Sequence, residues 1–466
     1  MATKNATKRA EKKPTPKTDR KTAARGSNRS GVKVRMYRQG LGDCFLIALP
    51  RTNGKPYYIM IDCGVILGTS GAADKMKNVV DSIIKTTEGH IDLLLATHEH
   101  WDHLSGFVQA KDVFAGLKVD QVWLAWTEDP RDKLADQLRS EHMKMRMALG
   151  AASARMRMGA GGNAALDSLL EFFGAAGQGT TGAALEVVKG FCKSPRYCRP
   201  GDAPVEVEGT GVRLYVLGPP HDRDQIRRFN PSKAHPETYG LAAAALYMDR
   251  IAPAITDADA DAPFDPIAQI PLDFAKQMPF FQGRYWGEDT SSDEKDQSWR
   301  RIDGDWLDAS TGLALQLDSA TNNTSLALAI ELIESREVLL FVADAQVGNW
   351  LSWQDLKWEV GGETVTGPDL LRRTILYKVG HHGSHNATLQ EKGLELMNGL
   401  KYALIPVDHA MALKKRWGKM PLDEIEKRLN EKTHGAVLRA DKDVPPALAG
   451  RVEQDESKEL YFEIAI

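Results

Sequence analysis

The chain has 466 residues, of which 42% are hydrophobic and 26% charged, a composition typical of a globular protein with a large core. No run approaches about eighteen consecutive apolar residues and the N-terminus has no apolar signal segment, so we expect neither a membrane span nor secretion. The four cysteines are too few for a disulfide framework, which favours a reducing, cytoplasmic location.

Charge is distributed unevenly along the chain, whose formal net charge is −3. Residues 1–31 carry ten Lys or Arg and two acidic residues, so the other residues hold 50 basic and 61 acidic side chains. The segment 1–31 has no apolar period, and we predict a disordered basic tail. Such a tail could hold nucleic acid non-specifically, or it could serve only to keep the protein soluble.

The first third of the chain alternates strand-like and helical patterns. Residues 32–49 and 57–64 are rich in β-branched and aromatic residues and predict strands. Apolar residues at helical spacing predict a helix over 73–87. A short apolar strand at 91–96 runs into a histidine-rich loop, and a further strand follows at 120–126. This order predicts an α/β fold with the loop at the carboxyl end of a strand.

Two segments interrupt this pattern. Residues from about 127 to 195 are rich in Ala, Met and Gly at helical spacing, and we expect helices and no strand there. Residues from about 221 to 315 are irregular, with aromatic and acidic residues by turns. Within the first segment, Met and Arg alternate along 142–158, which fits either a nucleic-acid contact or a helix that faces the core.

Strand-like runs resume between and after the two segments. They cover 205–220, 325–333, 337–345, 374–385, 402–407, 435–441 and 460–466, with a predicted helix at 421–432.

The histidine-rich loop reads HEHWDH at 98–103. His98 and His100 are two residues apart, so both can face one ion, while Asp102 and His103 can turn to a second ion nearby. Imidazole suits Zn²⁺, Fe and Mn²⁺, and a carboxylate raises the affinity for harder ions. The alternative is a polar surface loop that is rich in histidine by chance. Four potential ligands directly after a buried strand favour a metal site.

The segment THEHWDHLSG resembles the signature of the metallo-β-lactamase superfamily, whose members are binuclear hydrolases with an αββα sandwich fold. Further segments, among them GLGDCFLI, IDCG, VADA, KVGHHGS and VLRAD, resemble the hydrolase domain of the bacterial competence DNA-uptake proteins. The resemblance covers roughly 32–125, 200–220 and 322–445, and it leaves out the tail and both insertions. It implies one hydrolase domain over 32–466 and a phosphodiester substrate such as DNA or RNA.

The resemblance also implies roles for the residues that match the motif. His98 and His100 would hold the first ion, Asp102 and His103 the second, and Asp344 would bridge the two. Asp102 would in addition orient the nucleophilic water.

Three further roles follow from the same resemblance. The late ligand is His382 or His381, with His382 preferred because a glycine follows it. Asp62 would fix the tautomer of a histidine ligand, unless it only caps a turn. His385, or the unused member of the histidine pair, could protonate the leaving oxygen. The alternative for His385 is a surface histidine that caps a helix.

The chain departs from the family at the third histidine of the first ion, where it has Asn322 and Asn323. His221 is a candidate replacement, or only a loop histidine. An incomplete first site favours an exchangeable ion such as Mn²⁺ over Zn²⁺. Two other functions remain open, namely hydrolysis of a small-molecule ester, thioester or lactam, and a non-catalytic metal-binding module.

Overall fold

The computed structural model describes residues 1, 31–52, 54–159, 170, 173–175, 179–232, 237–238, 270, 272–286, 305–415, 417 and 419–466. The basic tail predicted at 1–31 lies outside the described residues except for its two ends, as does much of the second insertion. All four cysteines are described, and all are free thiols.

Two large mixed sheets form the centre of the described structure. The first consists, in spatial order, of β18 (Val452–Gln454), β19 (Tyr461–Ala465), β1 (Lys33–Tyr37), β2 (Phe45–Leu49), β3 (Tyr57–Ile61), β4 (His90–Ala96), β5 (Lys118–Ala125) and β8 (Arg196–Cys198). The second consists of β17 (Val437–Arg439), β16 (Tyr402–Ile405), β15 (Thr374–Lys378), β12 (Val338–Phe341), β11 (Ala327–Leu332), β10 (Val212–Gly218) and β9 (Val205–Val207). Two separate hairpins pair β6 (Gly174–Ala175) with β7 (Gly179–Thr180) and β13 (Lys357–Val360) with β14 (Glu363–Thr366).

Helices connect and cover these strands. They are α1 (Ala72–Thr87), α2 (Trp101–Gln109), α3 (Lys111–Phe114), α4 (Lys133–Gly159), α5 (Thr181–Gly190), α6 (Arg223–Ile226), α7 (Leu272–Gln277), α8 (Pro279–Phe281), α9 (Asp305–Asn322), α10 (Val347–Ser352), α11 (Gly367–Arg372), α12 (His409–Lys414) and α13 (Asp423–Thr433). In the described part of the chain, none of them is both long and apolar enough to cross a bilayer.

The main core lies between the two sheets. Phe45 of the first sheet meets Phe341 of the second edge to face, with ring centroids 5.6 Å apart. Ile47 and Leu328 are fully buried in the same cluster. Aromatic pairs of this kind add about 0.5–1.5 kcal/mol beyond the burial of their area. The contact fixes how the two sheets face each other.

Further cores cover the outer faces of both sheets. Val79 and Ile83 of α1 pack on the first sheet, and Leu370 of α11 and Ile425 of α13 pack on the second. Several strands are buried on both faces, so their apolar residues follow one another instead of alternating, as in 93–96 of β4 and in β12. The fold is therefore mixed α/β, which confirms the predicted class.

The local predictions are confirmed where the sequence period is strong. The helix predicted over 73–87 is α1, and the strand predicted over 91–96 is β4. The first insertion has the expected helices α4 and α5, but it also has the small β6–β7 hairpin, so the expectation of no strand there is wrong. Sequence reasoning missed the β13–β14 hairpin, whose turn uses Gly361 and Gly362 at positive φ.

A glycine lets two chain segments meet beside the histidine-rich loop. Gly64 follows β3 and donates its N–H to Asp43 O at 3.0 Å. A Cβ atom on Gly64 would lie 2.4 Å from the carbonyl of Asp102, closer than any side-chain carbon tolerates. Cys63 N, next to it, donates to His103 O at 2.8 Å. The segment after β3 therefore positions the start of α2.

We predict that Gly64→Ala destabilises the protein by about 1–3 kcal/mol, because the new methyl group must push the Asp102 peptide away. Gly150→Ala is the matched control, since Gly150 lies in α4 with nothing near its Cβ position, and it should be neutral or stabilising by up to about 1 kcal/mol. Denaturant unfolding of both variants measures this. Equal stability of the two variants would contradict the account.

Candidate metal centre

The loops that form the site leave the two sheets at the ends of parallel strands. β3 and β4 run parallel in the first sheet, and β12 and β15 run parallel in the second. The carboxyl ends of parallel neighbours meet at one edge, so the loops after these strands gather their polar side chains there. Asp62 follows β3 and His98 follows β4, while Asp344 and His382 follow β12 and β15. The order predicted from the sequence thus becomes a spatial cluster.

Two groups of potential ligands share one carboxylate, that of Asp344. One group is His98, His100 and Asp344, and the other is Asp102, His103, Asp344 and His382; in each group the ligand atoms lie within 4.8 Å of one another. Asp344 Oδ2 is 3.9 Å from His98 Nε2 and 3.3 Å from His103 Nε2. All of these side chains are buried. The site can therefore hold metal ions, and Asp344 is placed to contact both groups.

The first group presents two neutral imidazoles to each other. His98 Nε2 and His100 Nδ1 are 3.1 Å apart. Burial lowers the pKa of His98 well below its usual value and that of His100 to about 3, so both rings carry a lone pair at neutral pH. Two nitrogen ligands with bonds of about 2.0–2.1 Å to one ion lie at a similar separation. This pair has the chemistry and the spacing of two ligands of one ion.

In the second group, an aspartate fixes the orientation of a histidine. Asp62 Oδ2 lies 2.8 Å from His103 Nδ1, and Asp62 also accepts hydrogen bonds from Thr97 N at 2.8 Å and Thr97 Oγ1 at 2.7 Å. His103 therefore carries its proton on Nδ1 and turns Nε2 towards Asp344. This is the arrangement in which an outer carboxylate orients a metal-binding imidazole.

The two late histidines have different surroundings. His382 Nδ1 donates to Pro406 O at 2.6 Å, and Nε2 lies 3.0 Å from Asp102 Oδ2. His381 instead lies beside Asn322, with Nε2 at 3.5 Å from Asn322 Nδ2, and its Nδ1 is 2.8 Å from Ser384 Oγ. Both histidines have left-handed backbone angles, with φ of 45° and 53°, which store strain at this turn. The geometry favours His382 as the ligand of the second group.

Sequence reasoning missed a buried lysine and the aspartate that it contacts. Lys378 is the last residue of β15 and is 1% exposed. Its Nζ donates to Ala343 O at 2.9 Å and lies 2.5 Å from Asp43 Oδ2 and 3.6 Å from Asp344 Oδ1. Burial alone would lower the pKa of Lys378, but Asp43 and Asp344 outweigh it and raise the pKa. Lys378 could have been noticed in the sequence, because it is a charged residue in an otherwise apolar predicted strand.

The electrostatics of the site fit a bound cation. Burial alone would lower the pKa of His103, but the carboxylates of Asp344, Asp43 and others around it hold the pKa well above its usual value. The pKa of His382 is likewise raised against burial, chiefly by Asp102. These raised pKa values favour positively charged rings, which would partly balance the carboxylates that a divalent ion could otherwise balance. Buried carboxylates need such compensation.

Unpaired oxygen atoms support the same conclusion. Among the described residues, the buried Oδ1 atoms of Asp102 and Asp344 have no hydrogen-bond partner. Leaving a buried carboxylate oxygen unpaired costs about 1–3 kcal/mol or more. The mixed nitrogen and carboxylate ligands suit Zn²⁺, Mn²⁺ or Fe, and the residues present therefore fit divalent ions.

Not every predicted site residue reaches this cluster. His221 is 37% exposed in its side chain, packs on Trp126 and places Nε2 2.8 Å from Asp132 Oδ2, so it does not complete the first group as expected. The side chain of Asn323 donates to the carbonyls of Gln225 and Ile226 and is a structural residue. His385 follows His382 in the same loop and is half-buried.

The first insertion contacts the histidine-rich loop directly. Glu99 Oε1 accepts hydrogen bonds from Arg146 at 2.9 Å and from Thr181 Oγ1 at 2.8 Å. The Arg146 guanidinium lies over the ring of Phe173, whose edge faces His100 with centroids 5.4 Å apart. Arg146 is thus engaged within the protein, which weakens its interpretation as a nucleic-acid contact. The insertion covers the metal centre, and no proposed ligand is more than 7% exposed.

A scan against protein-family models finds no match, and a search of curated proteins finds none. The interpretation of the site therefore depends on the geometry of this chain.

We predict that His381 makes the stability of the metal-free protein depend on pH. Burial lowers the pKa of His381 to about 4, whereas the unfolded ring titrates at about 6.5. Between these values the unfolded state binds one more proton than the folded state, so stability falls as the pH falls from about 6.5 to about 4, by up to about 1.4 kcal/mol per pH unit.

Replacing this ring removes the contribution and leaves the other histidines in place. In denaturant unfolding of chelated protein between pH 7 and pH 5, His381→Gln should lose less stability on acidification than the wild type. Parallel pH profiles of the two proteins would show that His381 is not held neutral in the folded state.

Proposed function

We propose that the chain is a two-metal hydrolase with the αββα fold of the metallo-β-lactamase superfamily, extending over residues 32–466, with two insertions that cap the site. The observation that carries this proposal is the pair of buried ligand groups that share Asp344. The resemblance of the segments around these residues to that superfamily supports the same assignment. A non-catalytic module would have no evident use for two buried ligand groups at one carboxylate.

The two ions would be Zn²⁺ or Mn²⁺. The proposed ligands of the first are His98, His100 and Asp344, and those of the second are Asp102, His103, Asp344 and His382. Bound together, two such ions supply hydroxide at neutral pH and neutralise charge on the reacting ester. The first group has two imidazoles and a shared carboxylate, so an exchangeable ion such as Mn²⁺ fits it as well as Zn²⁺.

The protein's own groups would orient water and handle protons. Among the described residues the Oδ1 atom of Asp102 has no hydrogen-bond partner, so it can accept a hydrogen bond from the attacking water. Burial lowers the pKa of His385 and of His381, so neither ring holds an extra proton near pH 7. This weakens both as donors to the leaving oxygen, and we assign that proton to solvent.

The substrate that we favour is a phosphodiester in DNA or RNA, as the resemblance to the competence proteins implies. One observation favours a second candidate, a small-molecule ester, thioester or lactam. The proposed ligands are at most 7% exposed, and Phe173 of the insertion lies against His100. A small substrate needs less movement of this cover than a polymer does.

We predict that the purified protein cleaves labelled single-stranded DNA, double-stranded DNA or RNA when Mn²⁺ or Zn²⁺ is added. Asp102→Ala should lower the rate more than about 100-fold, because even residues that only orient metal ligands contribute 10–100-fold. Asp120→Asn is the matched control: Asp120 is an exposed residue grouped with His90 and the buried Asp92 near the amino end of β4, away from the shared carboxylate, and its loss should leave the rate unchanged.

Two synthetic substrates separate the candidates. Hydrolysis of bis(p-nitrophenyl) phosphate together with a nucleic acid supports the phosphodiesterase. Hydrolysis of a carboxylic ester or a lactam alone, again lost in Asp102→Ala, supports the second candidate. If the metal-loaded protein cleaves none of these substrates, the proposal of a hydrolase is contradicted, and a non-catalytic metal-binding module is favoured.

A further inference from the structure

Helix α9 begins within the second insertion and ends at the candidate metal centre. Asp318 and Asn322 lie four residues apart on α9, so their side chains face the same direction. Asp318 is 7% exposed and Asn322 fully buried. Helix α9 packs against α4 of the first insertion. The two insertions therefore meet above the site, and α9 contributes polar side chains to it.

The carboxylate of Asp318 is only half satisfied by the groups around it. Its Oδ2 accepts a hydrogen bond from Asn322 Nδ2 at 3.2 Å. Its buried Oδ1 has no hydrogen-bond partner among the described residues and lies 3.8 Å from His100 Nε2. A nine-tenths buried carboxylate of this kind is costly unless it has a function at the site it faces.

The two ring nitrogens of His100 face different partners. Nδ1 lies 3.1 Å from His98 Nε2, on the side where an ion of the first group would be held. Nε2, at the opposite edge of the ring, faces Asp318. Metal-binding histidines almost always donate the hydrogen of their other nitrogen to a carboxylate, carbonyl or water, which fixes the ligand tautomer.

We propose that Asp318 is a positioning residue that accepts the Nε2 hydrogen of His100 and so keeps Nδ1 as the ligand atom for the first ion. This inference rests on the proposed function. The distance of 3.8 Å is longer than a hydrogen bond, and a small side-chain rotation closes it. Contacts of this kind are often long before an active site is loaded.

The second ion has the equivalent arrangement from another part of the chain. Asp62 accepts from His103 Nδ1 at 2.8 Å and leaves Nε2 for the ion. Asp62 comes from the end of a sheet strand, whereas Asp318 comes from an insertion helix. The first ion would therefore depend on the insertion being in place, and the second would not.

Metal binding measured directly tests this role. Protein stripped with chelator is dialysed against buffered Mn²⁺ or Zn²⁺ at a series of free concentrations, and bound metal is counted by mass spectrometry. We expect two ions per wild-type chain. In Asp318→Leu, which keeps the branched shape of the side chain without the carboxylate, the affinity for one ion should fall about 10–100-fold while the other is unchanged.

Control variants separate positioning from folding. Asp318→Leu removes a buried carboxyl group whose Oδ1 has no hydrogen-bond partner among the described residues, and it should unfold at the same or a higher denaturant concentration than the wild type. Asp318→Asn keeps an acceptor oxygen and should restore part of the lost affinity. Leu315→Ala, at an exposed position on the same helix, should bind both ions as the wild type does.

The metal counts distinguish failure of the proposed role of Asp318 from failure of the proposed two-metal site. If folded Asp318→Leu binds two ions with wild-type affinities, the role of Asp318 is overturned and the two-metal site stands. If the wild type binds fewer than two ions, the two-metal site falls, and the role of Asp318 falls with it.

Discussion

Buried negative charge is concentrated around Asp344, and the structure of the site depends on how this charge is compensated. Asp43, Asp62, Asp102 and Asp344 are all buried at one edge of two packed sheets. In the metal-free chain, Lys378 and protons on histidines compensate part of this charge. Such a cluster is stable only when cations are supplied to it. The arrangement fits the proposed site for two divalent ions.

The fold provides this edge through strand direction. Parallel pairing of β3 with β4 and of β12 with β15 brings four loops together, and the core between the sheets holds the two halves at a fixed distance. The insertions add a cover that is tied to the same loops through Glu99. The loops of the sheets thus carry the proposed ligands, and the first insertion packs against the histidine-rich loop.

Sequence reasoning predicted those parts of the site that depend on local pattern. The loop at 98–103 follows a short apolar run, and that run is β4, because local apolar character is enough to define a buried strand. Asp344 and His382 were found only because they follow later strands in the order of a known family. His221 was misplaced, since its position along the chain did not reveal that it faces Asp132.

Residues that act through long-range contacts could not be predicted in this way. Asp43 and Lys378 meet across the two sheets, and nothing in either local segment reveals the partner. Asp318 lies in an insertion outside the resemblance, where helical spacing alone gives no direction for its side chain. The β13–β14 hairpin was missed although its buried Trp358 and Val365 lie opposite each other, because the two strands are only four residues long.

The most direct test of the account is anomalous diffraction from crystals of the protein grown with Mn²⁺ or Zn²⁺, with data collected on both sides of the absorption edge of the metal. The account predicts two peaks about 3.5–4 Å apart, one on each side of the Asp344 carboxylate. Ordered metal found only elsewhere, for example at the cluster of His90, Asp92 and Asp120, with no peak beside Asp344, would contradict it.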